Sequence, residues 1–326
     1  MKALVYTGTQ QSEIRNEPQP IANEEEAIVD LSYCGICGSD MHAWHGHDAR
    51  RVPPLILGHE AVGIVRDGAM KGKRVALNPL MTCGECDYCN SNFEHLCQFR
   101  ELIGMRVPGG FAEAVAIKEK NLVLLPDTLD FKHAALVEPL AVAVHSVRIG
   151  LKQTVLPSQQ LKVIIYGGGA IGLLCAMVLL NEGIKNVAIV EANPTRRDLL
   201  KTTITSNIYD PFNSEFEKVD LIFDAVGSGI TRSEASKLTK PGGTIIHIGL
   251  QDNLEGLDTR HLTLQEIRFI GTYCYQTTDF SKAIELLQHN KISYGEWIDI
   301  RPIESGPQSF IDIHQGNAAP KIVLKI

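Results

Sequence analysis

Apolar runs of membrane-spanning length, a basic excess and sequence repeats are all missing from this 326-residue chain. No apolar run approaches the ~20 residues that cross a bilayer. The opening MKALVYTGTQQSEI has neither a long apolar stretch nor a small-residue cleavage site, so no secretory signal is expected. Lys and Arg total 31 against 38 Asp and Glu, a net charge of −7, which argues against nucleic acid as the main partner. There is no internal repeat and no low-complexity tract. The expectation is a soluble, cytoplasmic protein that acts on a small molecule, with neither nucleic acid nor membrane as partner.

At 44% apolar residues the composition is that of a globular protein, and the length exceeds one ordinary core, so two domains are expected. Cysteine is the informative residue. Eight are present, and Cys83, Cys86, Cys89 and Cys97 fall within fifteen positions. Four thiolates on one short lobe can close a tetrahedral zinc site with no open position, which makes it structural rather than catalytic. Two disulfides are the alternative, and a reduced compartment disfavours them.

A second concentration of chemistry lies in YCGICGSDMHAWHGHDARRVPPLILGHE, from Tyr33 to Glu60. Cys37, His59 and Glu60 supply a thiolate, an imidazole and a carboxylate, the ligand types that zinc accepts. Ser39 and His42 are the types for a hydroxyl–imidazole proton path, and Asp40 for a carboxylate behind a ligand. A His- and Gly-rich surface loop with one buried thiol is the alternative. Further on, FKHAALVEPLAVAVHSVRIG (131–150) has apolar residues at helical spacing, with an interruption expected at Pro139. Glu138 stands in this apolar stretch. Buried, it needs a partner, and a metal pocket would provide one; a solvent-facing helix start is the alternative.

Residues 1–125 read as short strands cut by turns: Lys2–Tyr6, Ala27–Tyr33, Ala61–Val65, Arg74–Leu77 and Phe111–Ile117, a small barrel or sandwich. Then the pattern changes. The strand Leu161–Tyr166 runs into Gly167, Gly168, Gly169, Ala170, Ile171 and Gly172 and a helix to Asn181. This is GxGxxG between strand and helix, where Gly167, Gly169 and Gly172 permit a tight turn and close approach of a pyrophosphate. The next strand, Asn186–Val190, ends at Glu191, nineteen residues past Gly172. An acidic side chain there binds the ribose hydroxyls and repels a 2′-phosphate, which favours NAD. Arg196 and Arg197 are the competing signal, because either could accept that phosphate. Strands at Val219–Val226, Gly243–Leu250 and Ile267–Thr272, with a helix at Arg232–Thr239, continue a doubly wound parallel sheet. An amphipathic helix, Asp279–His289, and a strand, Lys321–Ile326, close the chain.

CGICGSDMH, GHE, the CxxCxxCx7C lobe, VEPLAVAVHS and YGGGAIG, in that order, resemble the zinc-dependent medium-chain alcohol and polyol dehydrogenases. The resemblance implies an α/β protein: a GroES-like β-rich catalytic domain (1–140 and 275–326) and a Rossmann NAD-binding domain (141–274). It implies two zinc ions per chain. Cys37 and His59 match catalytic ligands, Glu60 the neighbouring acid that ligates or stands behind the ion, and Glu138 the Glu of polyol-type members. Ser39 and His42 match the proton relay, and Asp40 the carboxylate that orients the zinc-bound imidazole. Gly167, Gly169, Ile171, Gly172, Glu191 and Arg196 fall at the cofactor positions, and Cys34, Cys175 and Cys274 are packed thiols. The implied reaction is reversible NAD-linked oxidation of a secondary alcohol on a polyol or sugar-like substrate, in a homodimer or homotetramer. Sugar-phosphate or L-threonine 3-dehydrogenase activity, or a non-catalytic dinucleotide binder, are the alternatives. Cys274 departs from the polyol pattern, in which an Arg precedes the Tyr.

Overall fold

The structure, a computed structural model, describes every residue except Asn253. It has two compact units: Met1–Pro139 with Ala283–His289 and Ile298–Ile326, and Leu140–Lys282 with Asn290–Trp297.

In the first unit the strand Glu26–Gly35 is the centre of a seven-stranded sheet. It pairs antiparallel with Glu60–Val65, with Ala114–Lys118 and with the closing strand Lys321–Lys325. Alternation drives this: Ala27, Val29 and Leu31 point inward at period two and are buried. Lys321–Lys325 is buried over its first four residues, Lys321 included, and its register puts Val323 opposite Gly35. The end of the chain is thus stitched beside Cys34–Gly35, one step before the Cys37 segment. Val5, Val29, Phe111, Ile117, Phe310 and Leu324 are part of one core.

The second unit is a six-stranded parallel sheet in the order Asn207–Tyr209, Asn186–Val190, Lys162–Tyr166, Val219–Asp224, Thr239–His247, Arg268–Gly271. In chain order that is 3-2-1-4-5-6, the doubly wound arrangement whose reversal point lies between its first and fourth strands. Ile164, Ile222 and Ile245 lie in its core.

Four local expectations change. The strand expected over Phe111–Ile117 covers Ala114–Lys118, and that expected over Gly243–Leu250 covers Thr239–His247. The helix expected from Arg232 starts at Gly229, because the Ser228 hydroxyl accepts the Thr231 N–H at 3.2 Å and caps it. Pro139 does not interrupt its helix: Val137–Lys152 is continuous, and the break falls at Ala135–Leu136. Pro139 sits in the first turn, where a missing N–H costs no intrahelical bond.

Candidate metal centres and cofactor site

Cys37 is the extended residue (φ −99°, ψ 155°) that caps the helix Gly38–Trp44. Asp40, fully buried in the first turn, ties this cap to the next strand. One of its oxygens accepts the Cys37 N–H at 3.0 Å; the other accepts the Gly58 N–H at 3.3 Å and lies 3.5 Å from His59 Nδ1. With Nδ1 turned to Asp40, Nε2 is the nitrogen left for an ion. Gly58 has φ +91°, and a Cβ there would stand 2.6 Å from the Phe111 ring, so the turn into His59 requires glycine. Ligand atoms of Cys37, His59 and Glu60 all lie within 4.8 Å of one another.

Glu60 is 1% exposed and forms an ion pair with Lys321, also 1% exposed, whose ammonium donates to the Ile36 carbonyl at 2.9 Å. Burial opposes the charge on Lys321, but Glu60, Cys37 and Glu138 outweigh it and raise its pKa. A Cβ on Gly35 would strike Glu60 Oε2 and come 2.8 Å from Lys321 Cε, so the pair needs glycine opposite. Glu138 is buried in the first turn of Val137–Lys152 and lies in the field of Lys321, but it is not in the close three-residue group. Thiolate, imidazole and carboxylate together make a three-ligand set suited to an open zinc site. Asp40, Glu60 and Glu138 are buried acids, Lys321 pairs with Glu60, and Arg51 pairs with Asp48. A divalent ion held by Cys37, His59 and Glu60 would offset part of this negative charge.

Ser39 and His42 share a helix face three residues apart, yet among the described residues no hydrogen bond joins them. Ser39 is engaged by Arg51 instead. The Arg51 guanidinium, 3% exposed, donates to Ser39 O at 3.3 Å, Ser39 Oγ at 3.4 Å, Gly104 O at 2.9 Å and Asp48 at 2.7 Å. Burial first, then His47, lowers the pKa of half-buried His42, which keeps it neutral and able to accept a proton. The sequence offers Arg51, like Arg50 and Arg106, as a group that could bind a phosphate or carboxylate of the substrate or simply be solvated; its hold on Ser39 was not legible. The one signal for Lys321 is a cation opening an apolar strand.

Cys83, Cys86, Cys89 and Cys97 also form one group within 4.8 Å. Their sulfurs are 3.5, 3.6 and 3.8 Å apart for the pairs Cys97–Cys83, Cys86–Cys89 and Cys83–Cys89. A tetrahedron with metal–sulfur bonds of about 2.3 Å has edges of about 3.8 Å. A disulfide needs about 2.05 Å, and all eight cysteines are free. The N–H groups of Glu85 and Cys86 lower Cys83 to about 6, whereas burial raises Cys89 to about 11. The lobe fits a four-thiolate ion. Cys34 and Cys175 are fully buried as expected, while Cys274 is half-buried with φ +47°.

In the second unit Gly167 (φ +92°) turns the chain out of its strand, and Gly169 caps the helix Ala170–Asn181. Ile171 is the second residue of that helix. A Cβ on Gly172 would collide with Gly167 O, so the helix can approach the turn this closely only with glycine. Glu191 closes the far side. It accepts Gly168 N–H and Asn193 N–H, each at 2.8 Å, and Arg196 reaches it at 3.3 Å. Arg197 is committed elsewhere, to the carbonyls of Glu191 and Ala192 and to Asp210 at 2.9 Å.

Residues 23–127 match the family described as "Alcohol dehydrogenase GroES-like domain", and 170–289 match "Zinc-binding dehydrogenase". The chain is 30% identical to the 2-dehydro-3-deoxy-L-galactonate 5-dehydrogenase of Pseudoalteromonas atlantica, over 88% of this chain and 86% of that one. It is 30% identical to the D-arabitol-phosphate dehydrogenase of Enterococcus avium, over 91% and 89%. A solved zinc-binding dehydrogenase of Sinorhizobium meliloti 1021 bound to NADP superposes with a TM-score of 0.87 at 27% identity, covering 100% and 99%. The chain belongs to the zinc-dependent medium-chain alcohol and polyol dehydrogenases, oxidoreductases that convert an alcohol to a carbonyl with a nicotinamide dinucleotide.

Proposed function

We propose that this chain oxidises a secondary alcohol on a polyol or sugar-like substrate to the ketone, with NAD as acceptor. The observation that carries the reading is the gathering of Cys37, His59 and Glu60, with Asp40 and Glu138 as two more buried acids. In this reading Cys37 and His59 hold a catalytic zinc, with Glu60 or Glu138 as third ligand, and Cys83, Cys86, Cys89 and Cys97 hold a structural one. Bound zinc would supply Lewis acidity that makes alcohol deprotonation accessible near neutral pH, and NAD would supply the hydride acceptor.

The chain's own residues do the rest. Asp40 fixes the His59 ring so that Nε2 is the donor. Arg51 anchors Ser39 and directs its hydroxyl, which takes the substrate proton and passes it towards neutral His42. Because Ser39 and His42 are not in contact, the transfer needs a rotamer change or a bridging water. Gly167, Gly169, Ile171 and Gly172 form the pyrophosphate turn, and Glu191 reads the ribose hydroxyls. Glu191 is partly neutralised by Arg196, so its repulsion of a 2′-phosphate is weaker than that of a free carboxylate. NAD preference is therefore finite, not absolute. A cytoplasmic homodimer or homotetramer is the assembly that family habit supports.

The test is a screen of the purified, zinc-replete protein against polyols, sugar acids, sugar phosphates, L-threonine and simple secondary alcohols with NAD and NADP. The sugar-acid and sugar-phosphate arms follow from the two curated relatives. Turnover confined to sugar phosphates or to threonine would select those alternatives. No turnover on any class, from protein that holds two zinc ions and binds NADH, would move the chain to the non-catalytic reading.

A further inference from the structure

Four histidines remain crowded at one edge of the first unit, and only His42 has a part in the chemistry above. His45 caps the C-terminus of Gly38–Trp44, and His314 is the last residue of the helix Gly306–His314. Their rings meet: His45 Nε2 lies 3.0 Å from His314 Nδ1, with ring centroids 5.0 Å apart. His47 approaches from the loop, its ring 5.7 Å from His45 and 6.3 Å from His42. Trp44 forms the floor, 5.3 Å from the His45 ring and 5.8 Å from that of His314, and is itself stacked on Phe310.

From this geometry we infer a third divalent transition-metal site, formed by His45 and His314 with His47 as the adaptable third ligand. Three independent features support it. Imidazole is the preferred ligand of Ni²⁺, Cu²⁺ and Zn²⁺, and two nitrogens on one such ion, at bond lengths of about 2.0–2.1 Å, stand about 2.9–3.4 Å apart. The His45–His314 spacing is already there. The pair sits where two helix C-termini converge, and the partial negative charge of exposed carbonyls favours a cation at such ends. Burial, then the neighbouring His314, His47 and His42, also lower the pKa of His45, which favours its neutral, ligating form. A hydrogen bond now joins the two nitrogens, and an ion would take its place. The Trp44–Phe310 floor holds both rings so that little ordering entropy is lost on binding.

The site is separate from the two zinc centres and is tested without catalysis. Untagged protein carrying its two zinc ions is dialysed and titrated with NiCl₂ by isothermal calorimetry. One further ion per chain should bind with a Kd of roughly 10 μM, about −7 kcal/mol. His314→Gln should weaken it at least tenfold, and His45→Gln with His314→Gln should abolish it, while circular dichroism, zinc content and NADH binding stay as in the parent. With CuSO₄ in place of nickel, paramagnetic resonance should show coupling to two or three nitrogens. No third ion below 1 mM nickel, or equal affinity in the double variant, would overturn the assignment. So would a copper spectrum dominated by sulfur ligation.

Discussion

Replacing Lys321 by methionine removes the ammonium that pairs with Glu60 while keeping an unbranched side chain in a site only 1% exposed. Without a metal, Glu60 is then a buried carboxylate with no counter-charge, and the Ile36 carbonyl loses its 2.9 Å donor. Breaking such a buried pair by removing one member costs about 3–5 kcal/mol. With zinc bound the loss is smaller if the ion takes over as the partner of Glu60. By linkage, the difference between the two losses equals the gain in zinc affinity. Recovery of even ~1.4 kcal/mol means zinc bound about tenfold more tightly by the variant. The assay combines chelator-competition zinc affinities with denaturant unfolding, with and without zinc at the Cys37 site. Fluorescence of Trp44 in a Trp297→Phe background follows the first unit alone, since Trp297 belongs to the second. Equal destabilisation in both states with unchanged zinc affinity would refute the reasoning. Glu60 would then be no ligand, and Glu138 would be the candidate for the third position. Glu60→Ala and Glu138→Ala complete the cycle. The true ligand should lose zinc about 10- to 100-fold in affinity, and the other should keep it and lose mainly turnover.

Cys86→Ser should lower bound zinc from two to one per chain and reduce stability, because a structural site contributes folding free energy directly; intact disulfides among the four lobe cysteines of native protein would contradict this. Glu191→Ala should shift the ratio of kcat/KM values for NAD and NADP towards NADP by about tenfold or more, roughly 1.4 kcal/mol. A parent enzyme that already prefers NADP would instead assign the pocket to Arg196. The second unit carries a buried cluster in which Asp279 bonds His145 at 2.7 Å and Arg148 at 2.7 and 2.8 Å. Burial opposes the Asp279 charge, but His145 and Arg148 hold its carboxyl well below the usual range. Its folded form thus binds a proton less readily than its unfolded form, so this stabilisation is full at neutral pH and fades as pH falls below about 4. Asp279→Asn should lower the stability of the second unit at pH 7 and flatten its acid dependence, read from Trp297 fluorescence; an unchanged acid limb would refute it.

Local spacing was enough to read the parts of this protein whose partners are close in sequence. The cysteine lobe spans fifteen residues, and its metal geometry needs little more than a tight loop. The glycine turn, its flanking strand and helix, and Glu191 lie within one βα unit, where a strand, a φ of +92° and a helix N-terminus are each encoded by neighbouring residues. Cys37, Ser39, Asp40 and His42 likewise lie close together, on one cap and the short helix that follows it. Pro139 shows the limit of local reading. Its meaning depended on whether it fell in a first turn or an interior turn, and that was set by where packing started the helix. The pairing of Lys321 with Glu60 and the hold of Arg51 on Ser39 were beyond reach for a stronger reason. Both come from sheet register and loop closure, which set Val323 against Gly35 and the Asp48–Arg51 turn against Ser39. A one-residue slip of the closing strand would turn Lys321 to the other face. Sequence periodicity fixes which residues share a face of one element. The tertiary fold alone decides which faces meet, because burial of the whole core, not local preference, selects the register.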